Sequence, residues 1–272
     1  MNNARNHNPE GWGMFSFTRS LAVAASSLLL LMLIGCGGSG QPGEKPAASE
    51  APSKAAPAAP AETKTYMTDH YARATTVQEA VIRGDLDEVR EPARWIAEHQ
   101  ELAGLPASVQ PQVEEMKRAA KIAAEATELK SAASATAAMA VACGKCHAAM
   151  GIQPTLAPVA QTVKPEPVAA RMQDHLRAMD LLYDGLIGPS DESWTKGAEA
   201  LKVSPLTAKE LPKDPKLAKE MLAQETGIRT LADRARQSTD LAARAAIYGE
   251  FIASCAGCHV LHGRVVGPGV PK

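Results

Sequence analysis

From Thr65 to Val270 the apolar residues recur at spacings of three and four, the period of helices buried along one side. The first such stretch runs from about Tyr66 to Arg83 and is closed by Gly84. A second follows over about Asp85 to His99, where Pro92 is expected to kink the helix or force a restart. A third spans about Ser108 to Glu125, with Val113, Met116, Ala120 and Ile122 on its apolar side. A fourth spans about Leu129 to Met150. The series then repeats over about Val168 to Leu186, Glu192 to Leu201, Pro215 to Arg236 and Leu241 to His262. The Pro-rich stretch KVSPLTAKELPKDP separates the middle two of these. Four helices joined by short loops suit an antiparallel bundle. The expected fold is therefore all-α, two tandem antiparallel four-helix bundles over residues 65–155 and 166–270.

The two series are related in detail. Met67 opens MTDHYARATTVQEAVIRGD and Met172 opens MQDHLRAMDLLYDGLIGPSD. These openings lie 105 residues apart, and the closing motifs CGKCH and CAGCH lie 112 apart (Cys143 to Cys255). A period of this length points to a duplicated domain, because solenoid repeats run to about 20 to 50 residues.

Ahead of the helices the pattern changes. Residues 21–35 read LAVAASSLLLLMLIG after Arg19, an apolar run too short for a comfortable membrane span and suited to a signal peptide. Its end, Leu33-Ile34-Gly35-Cys36, resembles the lipobox of bacterial lipoproteins, which implies cleavage before Cys36 and acylation of that cysteine. The expected partner of Cys36 is thus membrane lipid. Met14 is a candidate start, since MFSFTRS has the usual length of a charged leader. Residues 36–64 are rich in Gly, Pro, Ala and Ser and bury too little to fold, so they read as a disordered tether.

Composition sharpens the picture in three ways. Aromatics are only 4% of residues, which disfavours strands. A formal net charge of −1 gives no electrostatic case for nucleic acid. Of five cysteines, Cys36 is the expected acylated residue that follows the 1–35 signal peptide, and the other four all fall in the two Cys-x-x-Cys-His motifs.

Cys-x-x-Cys-His is the attachment pattern of haem c: two thiols one helical turn apart can each bond a vinyl group, and the adjacent His reaches the iron. Cys143, Cys146, Cys255 and Cys258 are then the thioether residues, and His147 and His259 the proximal ligands of two haem c groups. Two rivals exist. A redox dithiol normally follows a strand, and these motifs end long helical runs. A zinc site from all four thiolates would leave both His residues unexplained. Met150 and His262 each stand three residues past the motif His, on the same side of the iron. Only 13 residues follow His259, none of them Met, so a sixth ligand has to come from upstream.

A Cys-x-x-Cys-His near the end of the last of four helices resembles the class II c-type cytochromes, the cytochrome c′ group. The resemblance covers both series. In that family the distal residue comes from the first helix. Its low-spin members carry Met, a polar residue and Asp, with a Gly about sixteen residues on; its high-spin members leave the iron five-coordinate. Met67-Thr68-Asp69 and Met172-Gln173-Asp174 are similar to the low-spin pattern; Gly188 lies 16 residues after Met172 and Gly84 lies 17 after Met67. His70 and His175 share the helical face of those methionines and are equally placed as distal candidates. Met ligation would raise the potential and His ligation would lower it. Asp69 and Asp174 read as helix-start residues, Trp95 and Trp194 as packing, His99 as surface, and Lys145 as a solvated lysine near the exposed haem edge.

The resemblance implies a membrane-tethered dihaem carrier of electrons on the periplasmic side, with the outer membrane favoured because Gly37 replaces the Asp of inner-membrane retention. The alternative is a five-coordinate protein that binds NO or CO. An enzyme such as a dihaem peroxidase needs acid–base residues beside an open haem, and the sequence shows no such set outside the MTDH and MQDH segments, so no catalytic residue is expected.

Overall fold

The computed structural model describes residues 61–99, 105–154, 156, 167–203, 206–207 and 209–261. The leader, Cys36, the tether as far as residue 60 and His262 lie outside the described residues. Among the described residues all regular structure is helical: α1 (Ala61–Arg83), α2 (Leu86–Glu98), α3 (Gln110–Glu125), α4 (Leu129–Met150), α5 (Pro167–Ile187), α6 (Asp191–Val203), α7 (Pro215–Gln237) and α8 (Leu241–Leu261). A single 3₁₀ turn, Ala107–Val109, leads into α3. None of these helices is long and apolar enough to cross a membrane.

The ends are set by local chemistry. Asp85 caps α2 by accepting from the backbone of Asp87 and Glu88, and Asp214 caps α7 through Lys216 and Leu217. Gly84 and Gly151 close α1 and α4 in the left-handed region, at φ +81° and +64°. Helix α1 is described from Ala61, five residues ahead of the expected Tyr66, and Ala61-Glu62 are good helix formers. Helix α2 runs unbroken through Pro92, which is buried, so the expected restart does not occur. On α3 the buried stripe is Val113, Met116, Ala119–Ala120 and Ala123–Ala124. Ile122 lies off it and is 50% exposed, correcting its place on the apolar side.

The described helices form one compact unit, so the quartets α1–α4 and α5–α8 share a core. Helices α1, α4, α5 and α8 lie at its centre: α4 packs along α8, α1 against α8, and α5 against α4. Small residues permit this. Ala132, Ala133, Ala135, Ala137, Ala140 and Ala142 are all buried on α4. A methyl on Gly249 of α8 would stand 3.4 Å from Cα of Ser134. Leu129, at the start of α4, and Val260, near the end of α8, both flank Gly84, so α4 and α8 run antiparallel. Across the centre α1 and α5 touch through long polar side chains. Tyr71 donates to Asp184 (3.3 Å), Gln78 donates to Asp180 (3.1 Å), and the Tyr183 hydroxyl donates to Ala74 O (3.4 Å). Outside this centre Trp194 fills the α6–α7 contact and donates from Nε1 to Ala235 O at 2.8 Å.

Candidate cofactor-attachment sites

Both Cys-x-x-Cys-His motifs lie in the last turns of long helices, α4 and α8. In each, the cysteines are three residues apart and project from one side of the helix. None of the four is in a disulfide. Burial pushes Cys143 and Cys255 up to about 12, with a further contribution from the neighbouring thiol. Burial also raises Cys146 and Cys258. A redox dithiol requires the opposite, a thiol lowered toward the thiolate. Burial of these sulfurs therefore weighs against the redox dithiol.

Separation weighs against a shared zinc. Cys146 lies 12 residues beyond Ser134, and Cys258 lies nine beyond Gly249 in the opposite direction. At the rise of an α-helix the two motifs are about 30 Å apart along the common axis. Among the described residues no group of three His, Cys, Asp or Glu side chains is placed to hold a metal ion.

The motif histidines have matched surroundings. His147 Nδ1 lies 2.8 Å from Ile187 O, and His259 Nδ1 lies 2.7 Å from Ile82 O. A carbonyl only accepts, so Nδ1 carries the proton in both rings, and in the neutral ring the lone pair falls on Nε2. This is the tautomer of a metal-ligating imidazole held by a carbonyl partner. In each case the carbonyl belongs to the first helix of the other quartet. His147 on α4 reaches α5, and His259 on α8 reaches α1.

The first-helix candidates lie at the opposite end of α1. Gly84 flanks Leu129, and fourteen residues along each helix from there put His70 level with Cys143. Met67 is half-buried and Asp69 is exposed. His70 is buried, and its Nδ1 lies 2.9 Å from Tyr66 O, leaving a buried Nε2 with no hydrogen-bond partner. Burial lowers its pKa, so the ring is neutral at pH 7. Tyr66, Trp95 and His99 surround it at ring-centre distances of 4.0 to 5.2 Å. His99 is therefore not a bare surface residue; it stacks on Trp95 at 3.9 Å. In the second quartet His175 is buried, Met172 is half-buried, and Asp174 pairs with Arg177. Met150 is half-buried at the end of α4, beside the helix-closing Gly151. Lys145, inside the first motif, pairs with Glu115 at 2.9 Å.

Two features escape sequence reading. The carbonyls of Ile82 and Ile187 are backbone groups, and no residue pattern announces them. Glu225 is 3% exposed, and its carboxylate lies close enough to Cys255 and Cys258 to raise both thiols. Its Oε1 is buried without a partner. The available signal was an acid standing in the apolar stripe Met221, Glu225, Ile228, Leu231 and Ala232. No family model, curated protein or solved structure matches this chain.

Proposed function

We propose that this protein is a membrane-tethered dihaem c-type cytochrome that carries electrons, with each quartet an antiparallel four-helix bundle bearing one haem. The observation that carries this reading is the pair of equivalent Nδ1-to-carbonyl bonds at His147 and His259, which fix the ligating tautomer at both motifs. The donor set fits the group: two thiols on one turn to hold a haem as thioethers, and an oriented imidazole next to them. When bound, haem iron supplies one-electron chemistry, and the axial ligands set its potential.

Cys143 and Cys146 would hold the first haem with His147 as proximal ligand, and Cys255 and Cys258 the second with His259. For the distal ligand of the first haem, His70 is favoured over Met67 by its buried, partnerless Nε2. For the second, His175 and Met172 both stand on α5 as candidates. Ligands on both faces of the iron suit electron transfer. Acylation of Cys36, export and a periplasm-facing position, with the outer membrane favoured, complete the reading.

The test is the intact mass and the reduced spectrum of the exported protein. Two haem additions and a low-spin spectrum unchanged by carbon monoxide are expected. A mass without haem refutes the reading, and ready CO binding at both irons replaces it with the five-coordinate, gas-binding alternative. His70→Ala is expected to make one iron high-spin, whereas Met67→Ala leaves both low-spin.

A further inference from the structure

We propose that each half of the chain positions and tunes the proximal histidine of the haem held by the other half. The inference rests on the haem reading above and goes beyond it, because nothing in a single bundle requires a partner from the second. Three observations carry it.

The first is the exchange itself. The donor on α4 finds its acceptor on α5, and the donor on α8 finds its acceptor on α1, at 2.8 and 2.7 Å. Two independent contacts of one design, related by swapping the halves, mark a built arrangement.

The second is the kind of carbonyl used. Carbonyls in the last turn of a helix lack intrahelical partners. At the end of α1 those of Ala80 and Val81 are taken by the backbone of Asp85 and Gly84. At the end of α5 those of Asp184 and Gly185 are taken by Gly188 and Ser190. Ile82 and Ile187 supply the carbonyls that meet the imidazoles. Each sits at the negative end of its helix, where an N–H donor is held most strongly. A stronger acceptor on Nδ1 makes the ring a more basic ligand, which favours ferric iron and lowers the potential.

The third is the packing that holds each carbonyl in place. A methyl on Gly144, one turn before His147, would stand 2.1 Å from Leu186 O. At the other contact, a methyl on Gly84 would stand 2.7 Å from Val260, the residue after His259. At the first contact the helix end meets the motif backbone to backbone, with no room for a side chain; at the second the close neighbour is the side chain of Val260.

The test uses the full-length, haem-loaded protein. In the reduced state two imidazole Nδ1–H resonances are expected to exchange slowly with solvent. Gly144→Ala is expected to abolish slow exchange at His147 alone and to raise the potential of one haem, leaving the other unmoved. Ala256→Gly, the matched change at the other motif, removes only a methyl and is expected to leave both protons protected. Rapid exchange of both protons in the unaltered protein overturns the inference while the haem reading stands. So does a Gly144→Ala protein with both protons still protected. A protein without haem overturns both. Should Gly144→Ala fail to fold, the exchange rates of the unaltered protein decide alone.

Discussion

The two motif-bearing ends share a frame and differ in what lines it. With a shift of 112 residues, Val113, Met116, Ala119, Ala120 and Ala123 of α3 fall on Glu225, Ile228, Leu231, Ala232 and Ala235 of α7, and every one of these ten is buried. With a shift of 105, His70 falls on His175 and Ile82 on Ile187. The frame is thus the same apolar stripe and the same helix end, used twice. The differences are polar. Where the first half has Val113, Thr75 and Gln78, the second has Glu225, Asp180 and Tyr183. The close-contact glycine also changes sides, from the motif (Gly144) at one contact to the helix end (Gly84) at the other. Apolar repetition specifies the fold, and the polar departures make the two sites chemically distinct.

The largest effect tests whether the halves are one body. Trp194 is 1% exposed and fills the contact of α6 with α7. Trp194→Ala is expected to cost about 3–5 kcal/mol, from lost transfer energy and the cavity left behind. Because the central helices share a core, denaturant unfolding should remain a single transition for this variant. Two resolved transitions would show instead that the quartets fold independently.

Next in size is the exchange of Val113 and Glu225. Val113→Glu buries a carboxylate with no partner and is expected to cost roughly 3 kcal/mol or more. Glu225→Val removes the partnerless Oε1 and is expected to stabilise the chain by about 1–3 kcal/mol. Denaturation midpoints of the two variants check both signs. A destabilised Glu225→Val protein would mean that the acid is held by an interaction at the second site, and the comparison would shift from tolerance to use.

A smaller effect concerns the acids between α1 and α5. Burial lifts Asp180 to about 7 and Asp184 to about 6. Gln78, Glu79, Tyr71, Tyr183 and Tyr248 are the other polar groups around them. Both values exceed that of an unfolded Asp, so the folded chain binds these protons more tightly. Their contribution to stability is fully present below about pH 4, is lost as the pH rises from about 4 to 7, and is level above that. Asp180→Asn keeps an acceptor for Gln78 and is expected to flatten that fall in thermal midpoints. The same slope in the variant would sink the assignment.

Much of this was legible in the sequence, for physical reasons. Helical periodicity and the paired MTDH and MQDH openings gave eight helices in two series, with ends within a few residues except at α1. The motif cysteines and histidines stand out because of their fixed spacing, and both sets lie in the last turns of the long helices on which the sequence places them. Three features were not. Pro92 is carried inside a continuous α2 by tertiary packing that outweighs its local penalty. The partners of His147 and His259 are backbone carbonyls far away in sequence, so no residue type marks them. The contact of α4 with α8 depends on alanines and Gly249, whose small size reads as weak hydrophobicity although it is what permits close approach.

The smallest effect lies inside the motifs. The second variable position is Lys145 in one and Gly257 in the other. Lys145 pairs with Glu115 at 2.9 Å, and both side chains are more than 40% exposed. A pair so open to water gains little attraction and loses side-chain freedom, so it contributes between about 0.2 and 1 kcal/mol. Lys145→Gly would confound this with the backbone cost of glycine in a helix, so Lys145→Ala is the cleaner step toward the second motif. The expected outcome is a loss of at most about 1 kcal/mol that shrinks as salt is raised, matched by Glu115→Ala and not increased in the double variant. A larger loss, insensitive to salt, would show that the lysine stem packs against the site, and the two motifs would then differ in structure as well as in charge.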